Sequence, residues 1–476
     1  MSQQKLIKFL VGIGYTLIIT SLLNQTFGSF YTLLELLITI GIATAVTVIF
    51  IENRSPHSTI SWLAIFSIFP KLALILYILF GRSKYRRNRI TNYTYDAPVA
   101  SYPYPFEKFG AYPGVTGTKV DVLQNGDATF TSIKEAILRA EHYIYVEYYI
   151  YRGDKIGTEL RNILIQKAQQ GVEVRFLYDG LGSHGLKKAF LAPMQEANII
   201  VRAFDPILSS WLQAANYRNH RKIVIVDGYI GFTGGLNVGD EYLGRSPRMG
   251  FWRDTHLRLE GTAVHQLQHV FLRDWSYATG TALETRTFPE PVPTAGIVQI
   301  ADSGPDTKDM TIRNILLALI ANAKSSIWIV TPYFVPDQEL FTALRLQALA
   351  GRDVRLLYPG KSDSSFSDYA SQSYFAPLLQ AGVSIYRFKE NFVHAKAVLI
   401  DENIASIGTS NMDIRSFALN YEVNVFLYNN EAVYQLYTQF QEDFSVSHEI
   451  DRDTFLQRSI SKRIRESIAR LLSPLL

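Results

Sequence analysis

The chain has 476 residues, which at ~150 residues per domain indicates about three structural units and is too long for one core. Apolar residues make up 47% and charged residues 19%, a composition that excludes disorder. The absence of cysteine excludes disulfides, thiolate metal sites and a cysteine nucleophile, and a net charge of +4 is too small to indicate nucleic-acid binding over the whole molecule.

Apolar stretches dominate the first part of the chain. Residues 9–23 and 36–51 carry no charge, and 59–80 is apolar apart from a central Pro-Lys pair. The second stretch reaches roughly 20 residues, a spanning length, when 30–35 is included. The sequence leaves open whether the first is a signal-like anchor, a third span or a surface helix. We therefore predict that residues 1–90 are a membrane anchor with two or three apolar helices.

A lysine near the middle of the third stretch, Lys71, fits a membrane span least well. If the second and third stretches form an antiparallel hairpin turning near Ser55, Lys71 lies about 6 Å from Glu35. Charges inside membranes usually have partners, so this geometry predicts an ion pair. The alternative is a helix break at Pro70 that lets Lys71 reach the interface.

Basic residues distinguish the two ends of the third stretch. Five of them follow it in GRSKYRRNR, whereas the turn before it contains only Arg54. By the positive-inside rule we predict a multi-pass protein of the cell membrane whose remaining chain faces the cytoplasm.

Beyond a Pro-, Tyr- and Gly-rich segment, 91–118, which is interpreted as a linker, the chain repeats one order of helices and strands. In both copies helices alternate with strands, a pattern typical of mostly parallel sheets covered on both faces. The predicted fold class is α/β, with N-terminal transmembrane helices followed by two tandem α/β halves, 119–285 and 286–450.

Each half contains the motif H-x-K-x4-D, followed by a glycine-containing turn with an asparagine. Because residues two apart on a strand share a face, each His and Lys point the same way and each Asp points away. A neutral imidazole beside a fixed ammonium can attack or protonate a phosphodiester. Each Asp is expected to fix a turn, and each Asn to offer an amide N–H to phosphoryl oxygens. These residues are His220, Lys222, Asp227 and Asn237 in the first half and His394, Lys396, Asp401 and Asn411 in the second.

This doubled motif resembles that of the phospholipase D superfamily, whose fold is two α/β halves that share one active site. The flanking segments are similar, more closely, to those of bacterial cardiolipin synthases, and this resemblance covers nearly the whole chain. The segments are RNHRKIVIVDG, GGLNVGDEYLG, WRDTHLRLEG, TPYFVPD and GTSNMDIRSFALNYEVN.

The resemblance implies a two-step phosphatidyl transfer. His220 attacks the phosphorus of phosphatidylglycerol and glycerol leaves; a hydroxyl of a second phosphatidylglycerol then displaces the phosphatidyl-histidine to give cardiolipin. His394 acts first as acid and then as base. The resemblance also implies that Asp254 and Glu422 orient the imidazoles. The catalytic motif residues are then His220, Lys222, Asp227, His394, Lys396 and Asp401, with Asn237 and Asn411 binding phosphate.

Neither a metal nor a cofactor is expected, because two lysines supply positive charge and one phosphodiester is exchanged for another. The expected partners are phosphatidylglycerol and cardiolipin at an anionic bilayer surface, without nucleic acid. The oligomeric state is left open.

Four other functions compete with this one. Water and an alcohol attack the same intermediate, so the sequence does not exclude a hydrolase or a transferase that uses another alcohol. A membrane-tethered nuclease would need a basic groove, which the near balance of charge disfavours. A catalytically silent lipid-binding scaffold is disfavoured because both His-Lys pairs and both asparagines are intact.

Two remaining patterns are weaker. His265 and His269 lie four apart on a predicted helix, but no patterned carboxylate is near, so they are interpreted as helix-surface residues rather than metal ligands. Residues 451–476 are predicted to form a basic amphipathic helix, which either packs against the domain or lies on an anionic bilayer. Its apolar residues recur every four positions at Leu456, Ile460, Ile464, Ile468 and Leu472.

Overall fold

The computed structural model describes most of the chain as two compact units, Met1–Ser83 and Lys84–Leu476. The predicted first apolar stretch, 9–23, lies outside the described residues. These are residues 28, 31–51, 56–81, 106–205, 216–247, 249–283, 290–307, 309–389 and 392–471.

The N-terminal unit contains apolar helices α1 (Tyr31–Ile51), α2 (Pro56–Ile68) and α3 (Pro70–Phe80). With 21 residues, α1 is long and apolar enough to cross a membrane, and it is the one helix among the described residues that is. Helices α2 and α3, with 13 and 11 residues, are each too short to span alone. Phe69 separates them with non-helical angles (φ −134°, ψ 65°), because Pro70 disfavours the helical conformation in the residue before it.

Lys71 lies at the start of α3, and its Nζ donates to the carboxylate of Glu35 on α1. The predicted ion pair is therefore present, and so is the predicted break before Pro70. The pair joins helices that also share a small apolar core, formed by Ala45, Ile49, Phe66, Ala73 and Tyr77.

The first half of the larger unit forms one sheet with helices around it. The strands of this sheet are β1 (Thr118–Gln124), β2 (Tyr143–Tyr148), β3 (Glu173–Asp179), β4 (Ile200–Phe204), β5 (Lys222–Val226), β6 (Ile230–Gly234) and β8 (Thr255–Gly261). A short strand, β7 (Trp252–Arg253), lies outside it. Its helices are α4 (Asn125–Arg139), α5 (Lys155–Gln169), α6 (Lys188–Glu196) and α7 (Val264–Thr279).

The second half repeats this arrangement. Its strands are β9 (Ile297–Ser303), β10 (Ser326–Val330), β11 (Phe334–Val335), β12 (Asp353–Pro359), β13 (Ser384–Phe388), β14 (Phe392–Val393), β15 (Ala397–Ile400), β16 (Ile404–Gly408), β17 (Met412–Asp413), β18 (Glu422–Tyr428) and β19 (Ser447–Glu449). Its helices are α8 (Thr311–Asn322), α9 (Gln338–Leu349), α10 (Ser365–Gln372), α11 (Phe375–Ala381), α12 (Ile414–Ala418) and α13 (Glu431–Ser445), followed by α14 (Arg452–Leu456) and α15 (Ile460–Leu471).

The two main sheets have the same topology, as the sequence repeat predicts. The first has the order β4-β3-β2-β5-β6-β8-β1 and the second β13-β12-β10-β15-β16-β18-β9, with β19 added beside β13. Only the β2-β3-β4 and β10-β12-β13 pairings are parallel within these sheets; the other described pairs are antiparallel. The prediction of mostly parallel sheets is therefore wrong. Tight turns at Asp227 and Asp401 join consecutive strands as hairpins, and hairpin strands pair antiparallel.

A shared core holds the two sheets together. It includes residues from β2 and β8 of the first half and from β15 and β18 of the second, together with residues of α7 and α13. Separate cores lie between each sheet and its outer helices. The two halves thus fold as one unit, which fixes the ends of their strands relative to one another.

Part of the predicted linker belongs to this unit. Phe106 is buried in the outer core of the second half. The backbone N–H groups of Tyr112 and Val115 donate to Ile300 and Val298 of β9, both at 2.9 Å. Aromatic and aliphatic side chains give this segment enough apolar surface to be buried, so the prediction of a linker is wrong from residue 106 onward; residues 91–105 lie outside the described residues.

Candidate active site

The motif histidines of both halves line one cavity of about 280 Å³. Asn237 and Asn411 line it as well, so the structure brings together both copies of the predicted His and Asn pair. The lining is completed by Tyr149, Ile150, Tyr242, Trp252, Tyr333, Val335, Asp363, Ser367, Asp413, Arg415, Ser416 and Asn420.

Backbone contacts between the halves position His220 against Glu422. His220 N donates to Tyr421 O and Tyr421 N donates to Arg218 O, both at 2.9 Å. The segment before β5 therefore runs beside the segment before β18, and Glu422 is the first residue of β18. Nδ1 of His220 lies 3.0 Å from the Glu422 carboxylate.

The second histidine is positioned in the same way with the halves exchanged. Strand β14 pairs in parallel with β7, and His394 N donates to Arg253 O at 2.7 Å. The next residue, Asp254, then places its carboxylate 2.7 Å from Nδ1 of His394. Each histidine is thus held by the acid of the opposite half, a pairing that the sequence does not reveal. With Nδ1–H donated to a carboxylate, Nε2 is the nitrogen left to react.

Polar neighbours fix the Glu422 carboxylate. The Thr409 hydroxyl donates to it at 2.5 Å and Asn420 Nδ2 donates at 3.2 Å. Thr409 belongs to the small-residue turn after β16, so this turn, which the sequence singled out for its asparagine, also holds the acid that orients His220.

Asp254 is fixed by a different device. Its carboxylate accepts from Thr255 N at 2.8 Å and from Trp252 Nε1 at 3.3 Å. The turn after β6 contains Gly235, where a Cβ would lie 2.0 Å from an Asp254 carboxylate oxygen. Glycine is therefore required at this position by the close approach of Asp254.

Lys222 and Lys396 are buried, with 0% and 3% of their surface exposed. Nζ of Lys222 donates to the carbonyl of His220 at 2.6 Å, and Nζ of Lys396 donates to that of His394. Burial lowers the pKa of Lys222 well below its usual range and that of Lys396 to about 8, although Asp254 and Glu422 oppose this effect.

Burial also determines the charge of the histidines. It lowers the pKa of His220 to about 4 and that of His394 to about 3. Burial raises the pKa of Asp254, but His394 and Lys396 outweigh it and bring this pKa down to about 2. The pKa of Glu422 is lowered for the same reason by His220 and Lys222. At neutral pH the imidazoles are therefore neutral and the carboxylates charged.

The asparagines are the remaining predicted phosphate contacts. Oδ1 of Asn237 accepts from Ile150 N at 3.1 Å, a contact that fixes its side chain at the cavity wall. Asn411 is 7% exposed and follows the Thr409 turn. Both amides thus stand on turns that also approach the orienting acids.

Asp227 and Asp401 lie elsewhere, at the far ends of their strands. Asp227 accepts from the backbone N–H groups of residues 141, 142 and 143 at 2.7 to 2.8 Å. Asp401 accepts from those of residues 324, 325 and 326 at 2.7 to 3.0 Å. Both have positive φ, near 53° and 51°. They tie each hairpin turn to the start of the neighbouring strand and do not line the cavity.

Arg221, between the motif His and Lys of the first half, was not singled out by the sequence pattern. It is fully buried, bonds to Asp274 and Asp302, and donates from Nε to the Glu422 carbonyl at 3.1 Å. Ala395 occupies the corresponding position of the second half. The two histidine centres are therefore not equivalent.

Aromatic residues of the cavity wall were also missed. The Tyr149 ring lies 4.9 Å from that of His220, and the Trp252 ring 5.1 Å from that of His394. The Tyr333 hydroxyl donates to Asp363 at 2.5 Å. The sequence signal that could have found the two tyrosines is their position in the repeat, because Tyr149 follows β2 and Tyr333 follows β10, the second strand of each half.

His265 and His269 are buried in α7, so their interpretation as surface residues is wrong. Nδ1 of His269 lies 2.6 Å from the Tyr112 hydroxyl, which comes from the segment interpreted as a linker. Among the described residues, no group of three or more His, Asp and Glu side chains is placed to hold a metal ion.

The chain is similar to known proteins. A family model described as "Cardiolipin synthase, PLD-like domain" matches residues 133–275 and 316–444, and one described as "Phospholipase_D-nuclease N-terminal" matches residues 40–82. Cardiolipin synthase 1 of Bacillus cereus is 50% identical, over 96% of this chain and 97% of its own. Cardiolipin synthase of Geobacillus kaustophilus is 43% identical, over 94% and 95%.

A solved structure shows the same fold at low identity. Phosphatidylserine synthase of Haemophilus influenzae Rd KW20 has a TM-score of 0.59 and 13% identity, and covers 75% of this chain and 95% of its own. The family models match both halves and the N-terminal segment, and a relative is 50% identical over nearly the full length. These findings agree with a site built from two histidine motifs. The chain belongs to the cardiolipin synthase family of phospholipase D-like proteins.

Proposed function

We propose that this chain is a phosphatidyltransferase that converts two phosphatidylglycerol molecules into cardiolipin and glycerol. The observation that carries the proposal is the pair of buried imidazoles, each oriented by a carboxylate of the opposite half, that line one cavity. Family membership supports the substrate class, membrane phospholipids.

In the first step Nε2 of His220 forms a bond to phosphorus, and the bond from phosphorus to the glycerol oxygen breaks. His394, which takes up a proton on Nε2 when the substrate binds, gives that proton to the glycerol oxygen, so neutral glycerol leaves. Glu422 supports the step because its negative charge stabilises the cationic phosphatidyl-histidine.

In the second step His394, now neutral, takes a proton from a hydroxyl of another phosphatidylglycerol. The oxygen attacks phosphorus, the bond to His220 breaks, and cardiolipin leaves. The first step converts a phosphodiester into a phosphoramidate and the second converts it back into a phosphodiester, so atoms and charge balance without a redox cofactor or nucleotide.

Electrostatics supports protonation of one imidazole when the substrate is bound. In the free site both imidazoles are neutral, because burial lowers the pKa of His220 to about 4 and that of His394 to about 3. A bound phosphodiester adds one negative charge to this low-dielectric cavity and raises the pKa of the nearby imidazole, which favours uptake of the proton that the leaving group needs. Lys222 and Lys396 offset the added charge, and Asn237 and Asn411 are the proposed phosphate donors.

A covalent trap tests the mechanism. Labelled phosphatidylglycerol, quenched within one turnover, should leave label on the protein, and His220→Ala should abolish it. His394→Ala should slow turnover by roughly 10²- to 10⁴-fold. With a phosphatidyl ester of p-nitrophenol, whose leaving group needs no acid, His394→Ala should still trap label. Label in His220→Ala and none in His394→Ala would reverse the assignment.

Product identification tests the acceptor. Phosphatidylglycerol alone should give cardiolipin and glycerol in equal amounts. Phosphatidic acid as the main product would instead indicate a hydrolase, and a mixed product after addition of another alcohol would indicate a broader transferase.

We further propose that the protein is multi-pass, with the catalytic part on the cytoplasmic side. The apolar length of α1, the Glu35–Lys71 pair and the basic segment after Gly81 support this topology. Because the chain has no cysteine, Ser55→Cys and Ser83→Cys form a matched pair. In intact cells an impermeant maleimide should label the first but not the second; the reverse pattern would contradict the proposal.

A further inference from the structure

The C-terminal helix α15 exposes an apolar stripe. Ile460, Ile464, Ile468 and Leu471 are spaced so that, at about 100° per residue, they fall within one arc of the helix. They are 73%, 54%, 52% and 78% exposed. The predicted single helix over 451–476 is interrupted at residues 457–459, and Leu472 lies outside the described residues.

The opposite face of α15 attaches the helix to the catalytic unit. Ala469 and Glu466 are each 2% exposed, and Ala469 belongs to the core of the second half. Glu466 pairs with Arg458 at 2.6 Å. The helix therefore packs against the domain, which is one of the two alternatives predicted from the sequence. This packing buries the face opposite the apolar stripe and leaves the stripe exposed.

Positive charge borders the stripe on both sides. Arg463 and Arg470 lie on one flank and Arg465 on the other, and all three are exposed, whereas Lys462 lies on the face that packs against the domain. The single acidic residue of α15, Glu466, is buried against Arg458. The solvent-facing surface of the helix therefore combines apolar and cationic side chains without an exposed anion.

We infer that α15 is an interfacial helix that binds the surface of an anionic bilayer, with its isoleucines and Leu471 among the acyl chains and its basic residues at the lipid phosphates. Exposed apolar side chains flanked by cations match such a surface both in hydrophobicity and in charge. A water-facing stripe of four large aliphatic residues is otherwise unfavourable for a stable protein.

This contact has a consequence for the active site. Arg465 Nη1 lies 3.4 Å from the Tyr369 hydroxyl of α10, and the Arg470 guanidinium lies 4.6 Å from the Tyr374 ring that follows α10. Ser367 of α10 lines the catalytic cavity. Docking of α15 therefore holds the wall of the cavity close to the lipid surface. The inference concerns binding and does not depend on the transfer reaction.

A reporter on the full-length chain tests the inference. Ile464→Cys provides the one cysteine, which is labelled with an environment-sensitive fluorophore after reconstitution into vesicles. Vesicles with phosphatidylglycerol and a trace of lipid spin-labelled near the headgroup should quench the fluorophore. Vesicles of phosphatidylcholine with the same quencher should quench it markedly less, and 1 M NaCl should reduce the difference.

Charge variants give a matched comparison. Arg463→Gln with Arg465→Gln should raise the anionic lipid content needed for half-maximal quenching, since losing two charges weakens docking on the order of tenfold or more. Lys187→Gln with Lys188→Gln removes two exposed charges at the start of another helix, α6, and should leave quenching unchanged. Equal melting temperatures of the variants show that each is folded.

Other outcomes would overturn the inference. A reporter that stays water-exposed in anionic vesicles excludes bilayer contact, and a reporter shielded in proportion to protein density without lipid quenching indicates a second copy of the chain instead. His220→Ala carrying the reporter should be quenched as fully as the active chain, which separates failure of this inference from failure of the proposed reaction.

Discussion

His220 and Glu422, 202 residues apart, share a 3.0 Å contact between Nδ1 and a carboxylate oxygen. His394 and Asp254 repeat the contact with the halves exchanged, at 2.7 Å. Each imidazole is thus oriented by an acid on the other half, so the two halves cannot be treated as independent catalytic modules.

Because each acid orients the histidine of the opposite half, a variant of an acid should have the same kinetic defect as a variant of that histidine. Glu422→Gln should slow attack by His220 by roughly 10²- to 10⁴-fold, because the neutral amide does not stabilise the cationic intermediate. Asp254→Asn should impair the acid, His394. On the activated p-nitrophenyl ester, burst kinetics should therefore be preserved in Asp254→Asn and lost in Glu422→Gln. Glu402→Gln, an exposed glutamate of the same half as Glu422, is the control; the opposite burst pattern would contradict the pairing.

Gly235→Ala should lower activity strongly, because its Cβ would lie 2.0 Å from an Asp254 oxygen and the acid must move. We expect a loss of at least ~10-fold in turnover, comparable to other displaced catalytic groups. Gly185→Ala, where a Cβ meets nothing within 4 Å, is the matched control. Full activity in a correctly folded Gly235→Ala chain would show that Asp254 tolerates displacement.

The turn-fixing aspartates should affect stability more than chemistry. Asp227→Asn weakens three bonds to backbone N–H groups, and each bond to a charged group contributes ~1.5–3 kcal/mol. We expect a lower melting temperature and retained trapping per folded molecule, and the same for Asp401→Asn. A stable Asp227→Asn chain as inactive as His220→Ala would instead assign Asp227 to the reaction.

The buried imidazole of His394 makes stability depend on pH. Its pKa falls from 6.5 to about 3 on burial, so between these values the unfolded chain binds a proton that the folded chain does not. The free energy of unfolding must then fall as pH falls, by up to ~1.4 kcal/mol per unit. The melting temperature of His394→Asn in detergent, relative to that of the unsubstituted chain, should therefore rise as the pH falls from 6.5 to 4. A difference independent of pH would refute this.

The Glu35–Lys71 pair should show coupling. Glu35→Gln and Lys71→Met each leave one charge without its partner in an apolar unit, so each should lower the membrane-inserted yield, and the double variant should recover it. Additive losses, measured by quantitative immunoblot of washed membranes, would show that the two residues act separately.

Local patterns predicted the parts of the structure that depend on local geometry. The repeat located both histidines and both asparagines, and counting residues across a hairpin predicted the contact between Lys71 and Glu35. The pairing of Glu422 with His220 was beyond this reasoning, because it depends on how two distant strand ends meet. The relative direction of most strand pairs was predicted wrongly, because the sequence analysis did not recognise the turns at Asp227 and Asp401 as hairpin turns.

Burial was predicted less well than position. His265 and His269 have the polarity of surface residues, but α7 lies between two sheets and has no free face there. The apolar face of α15 was predicted from its periodicity, but whether that face is buried was not. Periodicity shows that a helix has an apolar face and not what the face contacts.

Neither half of the chain contains a complete pair of a histidine and the carboxylate that orients it. A gene for one half alone would encode a histidine without its orienting carboxylate and a carboxylate without its histidine. Recombination that joined halves from diverged parents would have to match Arg218 with Tyr421 and Arg253 with His394 at the backbone as well as the acids themselves. A substitution that displaces an acid in one half therefore acts on the histidine of the other half, 140 or 202 residues away along the chain.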